Sequence, residues 1–381
     1  MAAREKMSHS DIEALLESRN YRVVQERNDF FLPQIIDFVV KKDWINIQPE
    51  YQRRLVWDQR KQSKLIESLF MNVPVPPIFL YEQELSRYEV MDGQQRLNSI
   101  VRFYNNEFRL RGLEFWEKLN GLRYIDLPPM VQRALDRRRI SATVLTTDGV
   151  TNESDLHELR KQVFDRLNTG GQKLKNQELR NCLYSGPFND LIIELAGNSI
   201  FDDLWGIPRY EDNVRAGKVS EQLSANSLFK RMADVEIVLR FFAFFGAKSK
   251  IRGAVKSILD QCMVANQDVS EARIDEMRSA FLSAVELANG VFGRHAFHMP
   301  EKRGYSKNPS QPFYDAIMVA LYRLRSRADE LIAARKDIAN AVREMFEGDN
   351  EKYELFIGRS NTANAIKERL DVMEETILSA L

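Results

Sequence analysis

Tyr88-Glu-Val-Met-Asp92-Gly93-Gln94-Gln95-Arg96-Leu97-Asn-Ser-Ile100-Val101-Arg-Phe-Tyr104 is the stretch on which the fold turns. Residues 88–91 are aromatic and β-branched enough to read as a short strand, and Gly93 permits a sharp turn. From Gln94 the period changes: Leu97, Ile100, Val101 and Tyr104 fall at i, i+3, i+4 and i+7, one buried stripe of a helix that stops near Asn105 and Asn106. A strand feeding a helix through a glycine points the amides of the first helical turn at whatever lies above, and the helix dipole favours an anion there. Arg96 adds a charge-assisted donor, and Asp92 is placed to hold a divalent cation or orient a water. The competing structural reading makes Asp92 a helix N-cap and the two glutamines ordinary first-turn residues.

Outward from this stretch the N-terminal part alternates short elements. Residues 10–13 (SDIE) read as a capping box, 34–41 as a short apolar element, and 44–48 (WINIQ) as a strand. Residues 61–70 read as a helix stopped by Pro74, Pro76 and Pro77; 78–81 and 140–146 read as strands. The mixture predicts an α+β domain over residues 1–150. Beyond Thr151 helical periodicity dominates, with stripes at 274–288, 313–324, 328–346 and 362–378, and loops expected at 198–217 and 298–312. A second, mainly α-helical domain is therefore expected over 151–381, its start (151–190) completing a pocket with the first.

Two more polar constellations accompany the first. Tyr51, Gln52, Arg53 and Arg54 follow the expected strand and offer an aromatic face, an amide and two guanidinium forks; alternatively they form a solvated basic loop with Trp57 as a core anchor. Phe164-Asp-Arg166-Leu-Asn168-Thr-Gly170-Gly171, followed by Leu174 and Glu178-Leu-Arg180-Asn181, reads as a helix end and the helix after it; a glycine C-cap explains Gly170 or Gly171 but not the polar cluster.

In this order, YQR…W, a P-x-P-P strand, DGQQR and F-x-R-L-N-T-G-G-x-x-L-x-x-x-E-L-R, the motifs resemble the N-terminal domain of GmrSD-type restriction enzymes, itself similar to the ParB and sulfiredoxin nucleotide-binding fold. The resemblance implies binding and hydrolysis of a nucleoside triphosphate with Mg2+. On it, Asp92, Gln94, Gln95 and Arg96 are the expected catalytic group, with Asp92 at the metal. Tyr51, Gln52, Arg53, Gly93, Arg166, Asn168 and Gly171 are expected around the nucleotide. Triphosphate chemistry needs charge neutralisation and positioning more than a nucleophilic side chain. No G-x-x-x-x-G-K-[ST] occurs, so an NTPase here is not of the P-loop kind.

Full-length relatives usually add an HNH nuclease that cuts foreign, often modified, DNA. Here the four histidines are His9, His157, His295 and His298, and the H-x-x-H at 295–298 has no metallonuclease cluster after it; solvated loop histidines are the expectation. The reading is thus a nucleotide-hydrolysing component of an anti-phage restriction system with a separate nuclease partner. The alternatives are a non-hydrolysing, nucleotide-gated DNA sensor or a stand-alone nickase, with self-association left open. Lys plus Arg and Asp plus Glu are 55 each, so no global field marks a nucleic-acid protein. Local clusters at Arg54, Arg60 and Lys61 and at Arg137, Arg138 and Arg139 are the candidate DNA contacts, the second equally readable as a solvated helix end. Two cysteines, Cys182 and Cys262, exclude a disulfide framework and a zinc knuckle. The charged first twenty residues lack the apolar core of a signal peptide, and no apolar window reaches the roughly 20 residues of a membrane span, so a cytoplasmic protein is expected.

Overall fold

A computed structural model describes residues 22–47, 57–148, 176–184, 186–215, 218–246, 251–347, 350–358 and 361–381. They fall into two compact units, one within 22–148 and one from 176 onward.

The first unit is built on a five-stranded mixed sheet of β1 (Arg22–Phe31), β2 (Ile45–Asn46), β3 (Ile78–Glu84), β4 (Arg87–Asp92) and β5 (Arg139–Asp148), in the order β1-β5-β3-β4-β2. β1 runs antiparallel to β5 over its whole length, from Arg22 opposite Asp148 to Phe31 opposite Arg139. β3 is parallel to β5 and antiparallel to β4, and β2 adds a short parallel edge on β4. Among the described residues four α-helices accompany the sheet: α1 (Leu32–Ile36, continuing as a π-turn over Asp37–Lys41), α2 (Gln59–Phe70), α3 (Gln94–Tyr104) and α4 (Pro129–Asp136). Ile140, Ala142 and Val144 of β5, Leu80 of β3 and Val90 of β4 join Leu65, Ile66 and Leu69 of α2 and Leu97, Ile100 and Phe103 of α3 in one core. Each of the Val, Leu, Ile and Phe side chains among them contributes about 1.5–3 kcal/mol on burial. Trp57 packs against this core, as its reading as an anchor requires.

The turn from β4 to α3 departs from regular geometry twice. Phe79 pairs with Asp92 while the adjacent Leu80 pairs with Val90, which leaves Met91 as a bulge and re-aims Asp92. Glu89, Val90 and Met91 are consequently all buried, against the alternation of a regular strand. Gly93 then adopts φ 101°, and a Cβ there would stand 2.5 Å from Ile78 Cγ2. Gly93, not Asp92, is the N-cap of α3, so the capping alternative for Asp92 does not hold.

Residues 109–123 form an irregular excursion that Glu67 of α2 fastens down. Its buried carboxylate accepts from the backbone N–H groups of Glu114 (2.9 Å), Phe115 (2.8 Å) and Trp116 (2.9 Å). Burial alone would push the Glu67 carboxyl up; the three amides together hold it below its ordinary 4.5. Nearby, Tyr104 and Tyr124 both donate to Asp136 Oδ1 at 2.9 Å, and burial with that carboxylate pushes Tyr124 up to about 12.

The second unit is helical. Glu271–Phe292 buries Met277, Phe281, Ala284, Val285 and Ala288, the stripe expected from the sequence. Gln311–Arg323 is buried from Phe313 to Leu321 without a polar face, as a central helix must be. The stripe at 328–346 is two helices, Ala328–Ala333 and Arg335–Glu344, divided at Ala334. The loop expected at 198–217 is mostly ordered: Asn198 caps Ser199–Trp205, Gly206 ends it in the left-handed region, and a small hairpin of Val214–Arg215 and Lys218–Val219 follows. Among the described residues no helix is long and apolar enough to cross a membrane. Residues 10–13 and 149–175 lie outside the described residues.

Two stability outcomes are expected. Gly93→Ala combines backbone strain with the Ile78 clash and lowers stability by about 2–4 kcal/mol in urea denaturation; a loss below 1 kcal/mol would contradict the turn. Glu67→Gln lowers it by about 1–3 kcal/mol near neutral pH. Because the folded carboxyl is held below 4.5, that contribution is fully present above pH 4.5 and fades as pH falls through the lower folded value, so the gap between the two proteins closes in acid.

Candidate functional site

α3 begins where β4 ends, and its first turn carries the whole Gln94-Gln95-Arg96 sequence. No side chain caps the helix, so its leading amides are not occupied by an N-cap residue. Arg96 lies along the mouth of the turn, its Nη2 donating to Asp92 Oδ2 at 2.8 Å and to the Pro77 carbonyl at 3.1 Å. Asp92 is 43% exposed at its side chain and Arg96 15%, so the carboxylate faces solvent while the guanidinium is largely enclosed. Arg96 Nε is buried without a hydrogen-bond partner. The last carbonyl of the P-x-P-P segment thus orients the arginine.

Gln94 and Gln95 are buried and point back into the protein. Gln94 Nε2 donates to the Ile47 carbonyl at 2.9 Å, and Gln95 Oε1 accepts from the Trp57 N–H at 3.2 Å. Ile47 and Trp57 are the residues on either side of 48–56, the segment that holds Tyr51, Gln52, Arg53 and Arg54. The two amides therefore fasten both flanks of one motif to the helix start that carries the other. Neither amide is presented at the surface, where a group acting directly on a ligand was expected; both bond to the chain itself. The spacing of DGQQR gave no sign of it, because an amide at a helix start looks the same whether it faces a ligand or the chain.

Tyr51, Gln52, Arg53, Arg54, Arg166, Asn168 and Gly171 lie outside the described residues. The end of the third constellation does not: Arg180 and Asn181 sit on the Asn176–Leu183 helix and turn into the helical unit. Arg180 donates from Nε to Asp260 at 2.8 Å, and from Nη1 to Glu236 at 2.8 Å and Gln177 at 3.2 Å. With 2% of its side chain exposed and its donors engaged, it braces three helices.

Of the basic residues expected at DNA, Arg60, Lys61, Arg137 and Arg139 are exposed, Arg139 lying 4.4 Å over the Phe31 ring. Arg138 is a correction: half-buried, it donates to the Phe70 carbonyl at 2.9 Å and joins α2 to the segment before β5. The histidines are a second correction. His295 stacks on Tyr305 at 4.4 Å, and His298 Nδ1 donates to the Ser306 carbonyl at 2.7 Å, so both are half-buried and engaged rather than freely solvated. Among the described residues no group of three or more His, Cys, Asp or Glu could hold a metal ion.

A family model described as the GmrSD restriction endonuclease, N-terminal domain, matches residues 34–185. No curated protein matches the chain. Among solved structures, a Pnob8-like ParB-N domain (C2221 form) aligns at 12% identity over 93% of this chain and 99% of that one, with a TM-score of 0.23, too low to establish a shared fold. The span 34–185 includes the β4–α3 turn, both anchored flanks of 48–56 and the Arg180 helix. Over residues 34–185 the chain is thus similar to the N-terminal domain of GmrSD restriction endonucleases.

Proposed function

We propose that the β4–α3 turn is the phosphate-binding floor of a nucleoside-triphosphate site, and that hydrolysis there licenses a separate nuclease polypeptide to attack foreign DNA. The observation that carries this is the pair of bonds from Gln94 and Gln95 to Ile47 and Trp57, which tie the flanks of the YQR segment to the helix start. The restriction-type family supports DNA as the eventual target.

The roles follow from the geometry. The first-turn amides of α3 and the Arg96 guanidinium receive phosphate oxygens, and Gly93 lets them approach the backbone. Asp92 and the Pro77 carbonyl hold Arg96 in place before substrate arrives, so little reorganisation is needed as charge develops. The family resemblance adds Tyr51, Gln52, Arg53, Arg166, Asn168 and Gly171 as further nucleotide-binding residues, all of which lie outside the described residues. Mg2+ fits this donor set only sparsely: Asp92 is one carboxylate, already engaged through Oδ2, so the ion would be held by Asp92, water and the phosphates themselves, where it neutralises charge. Exposed Arg60, Lys61, Arg137 and Arg139, with Arg54, supply phosphate contacts to DNA.

Purified protein with Mg2+ and each common nucleoside triphosphate should release inorganic phosphate. Asp92→Ala and Arg96→Ala should each reduce that rate by about 10²-fold or more, with an unchanged thermal melt as the check that each variant is folded. Turnover surviving in both variants would sink the reading, and tight binding without phosphate release would replace it with a nucleotide-gated sensor. Gln94→Ala and Gln95→Ala should instead raise KM by about 5–20-fold with kcat nearer wild type, the signature of misplaced binding groups.

A further inference from the structure

Residues 294–307 form a strap that none of the roles above uses. It leaves the Glu271–Phe292 helix through a 3-10 turn (Gly293–His295), and Ala296, Phe297 and Met299 plug it into the core. An antiparallel bridge between Pro300 and Tyr305 then folds it back on itself. Ser306 N–H donates to the Met299 carbonyl at 2.8 Å, Met299 N–H to Ser306 Oγ at 3.0 Å, and Glu301 N–H to the Gly304 carbonyl at 3.1 Å. Gly304, at φ 89°, closes the tip. The result is a stiff finger with Lys302 and Arg303 at its end.

The charge on this finger is one-sided. Arg294, Lys302, Arg303 and Lys307 are exposed, and Glu301 is the only acid in the stretch. Beside them, the His295 ring lies parallel to Tyr305 at 4.4 Å and 4°, and Arg343 stands 5.2 Å from the Tyr305 ring. Arg294 Nε donates to His295 Nε2 at 3.0 Å, which requires a neutral imidazole on that side. No large hydrophobic side chain is exposed on the strap. A protein partner needs apolar anchors at the centre of its footprint, whereas a polyanion needs only cations held at fixed spacing.

We propose that the strap binds the phosphate backbone of duplex DNA, giving the helical unit its own nucleic-acid contact. The proposal shares with the nucleotide-site reading only the class of partner, and the two fail separately. Because phosphate contacts are blind to sequence, ordinary duplex DNA is a sufficient probe.

The experiment uses the full chain and a fluorescein-labelled duplex, with anisotropy measured over a range of salt concentrations. Replacing Lys302, Arg303 and Lys307 together by Ala should weaken binding by about 10-fold or more at low salt and flatten the dependence of log affinity on log salt by about 2–3. Lys302→Arg with Lys307→Arg should bind as wild type, and phosphate release should be unchanged in both. Unaltered affinity and slope in the alanine variant overturns the proposal, as does failure of the wild-type chain to bind DNA, or an equal loss in the charge-conserving variant. An acidic protein as the true partner would show as the first of these.

Discussion

Two side-chain amides hold the candidate site together. Gln94 and Gln95 hydrogen-bond to backbone groups of Ile47 and Trp57, residues distant in sequence that lie just outside β2 and α2. Buried amide-to-backbone bonds are modest in net energy, about 1 kcal/mol each, but leaving either partner unmade costs more. Their effect is on placement: the segment between Ile47 and Trp57 starts and finishes at the turn that carries Asp92 and Arg96. A helix N-terminus alone is a generic anion site; on the reading proposed above, the motif whose two flanks are tied here is what would make it specific.

The turn itself depends on a compensating pair of irregularities. The bulge at Met91 shifts the register at the end of β4, where Asp92 still pairs with Phe79 while its side chain is partly exposed, and Gly93 lets the helix begin against Ile78 without a Cβ in the way. Arg96, one helical turn on from Asp92, then meets both that carboxylate and the Pro77 carbonyl. α2 has already ended at Phe70, with Asn72 in the left-handed region at φ 57°; Pro76 and Pro77 then fix an extended backbone whose last carbonyl meets Arg96.

How far this was legible in the sequence follows element by element. α3 was, because Leu97, Ile100 and Val101 all fall on its buried face, and so were β3 and β4, whose apolar centres are flanked by turn residues. β1 was not: Arg22–Phe31 carries Gln, Glu, Arg, Asn and Asp through its middle, and as an edge strand whose residues from Gln25 to Asp29 are exposed it is defined by its ladder with β5 rather than by burial. The strand expected at 44–48 shrinks to Ile45–Asn46 for a related reason, since only a short stretch reaches β4. The order within 198–217 was signalled by an Asn N-cap and a Gly C-cap that looked like loop composition. Within the site, the motif residues were visible, but which way each points was not: Gln94, Gln95, Arg138, Arg180 and Asn181 all turn inward, and nothing in residue type or spacing distinguishes a guanidinium that waits for phosphate from one that braces helices.

That ambiguity also explains why an even charge balance says little about polyanion binding in this chain. Carboxylates are drawn into internal pairs, Asp260 and Glu236 on Arg180, Asp315 on Arg240 in the buried centre of the helical unit, Glu374 on Arg323. A buried pair of this kind gains little net stability, because desolvation offsets most of the attraction, yet it removes both charges from the field outside. What a distant phosphate senses is the residue of this cancellation. On the 294–307 strap the core-facing positions are apolar and the outward ones basic, so the cancellation is incomplete there and the local potential is positive although the whole molecule is neutral. Binding at such a place is set by fixed cation spacing on a stiff support, which is the same physical device that the Asp92 carboxylate and the Pro77 carbonyl provide for Arg96: side chains whose geometry is decided before the anion arrives.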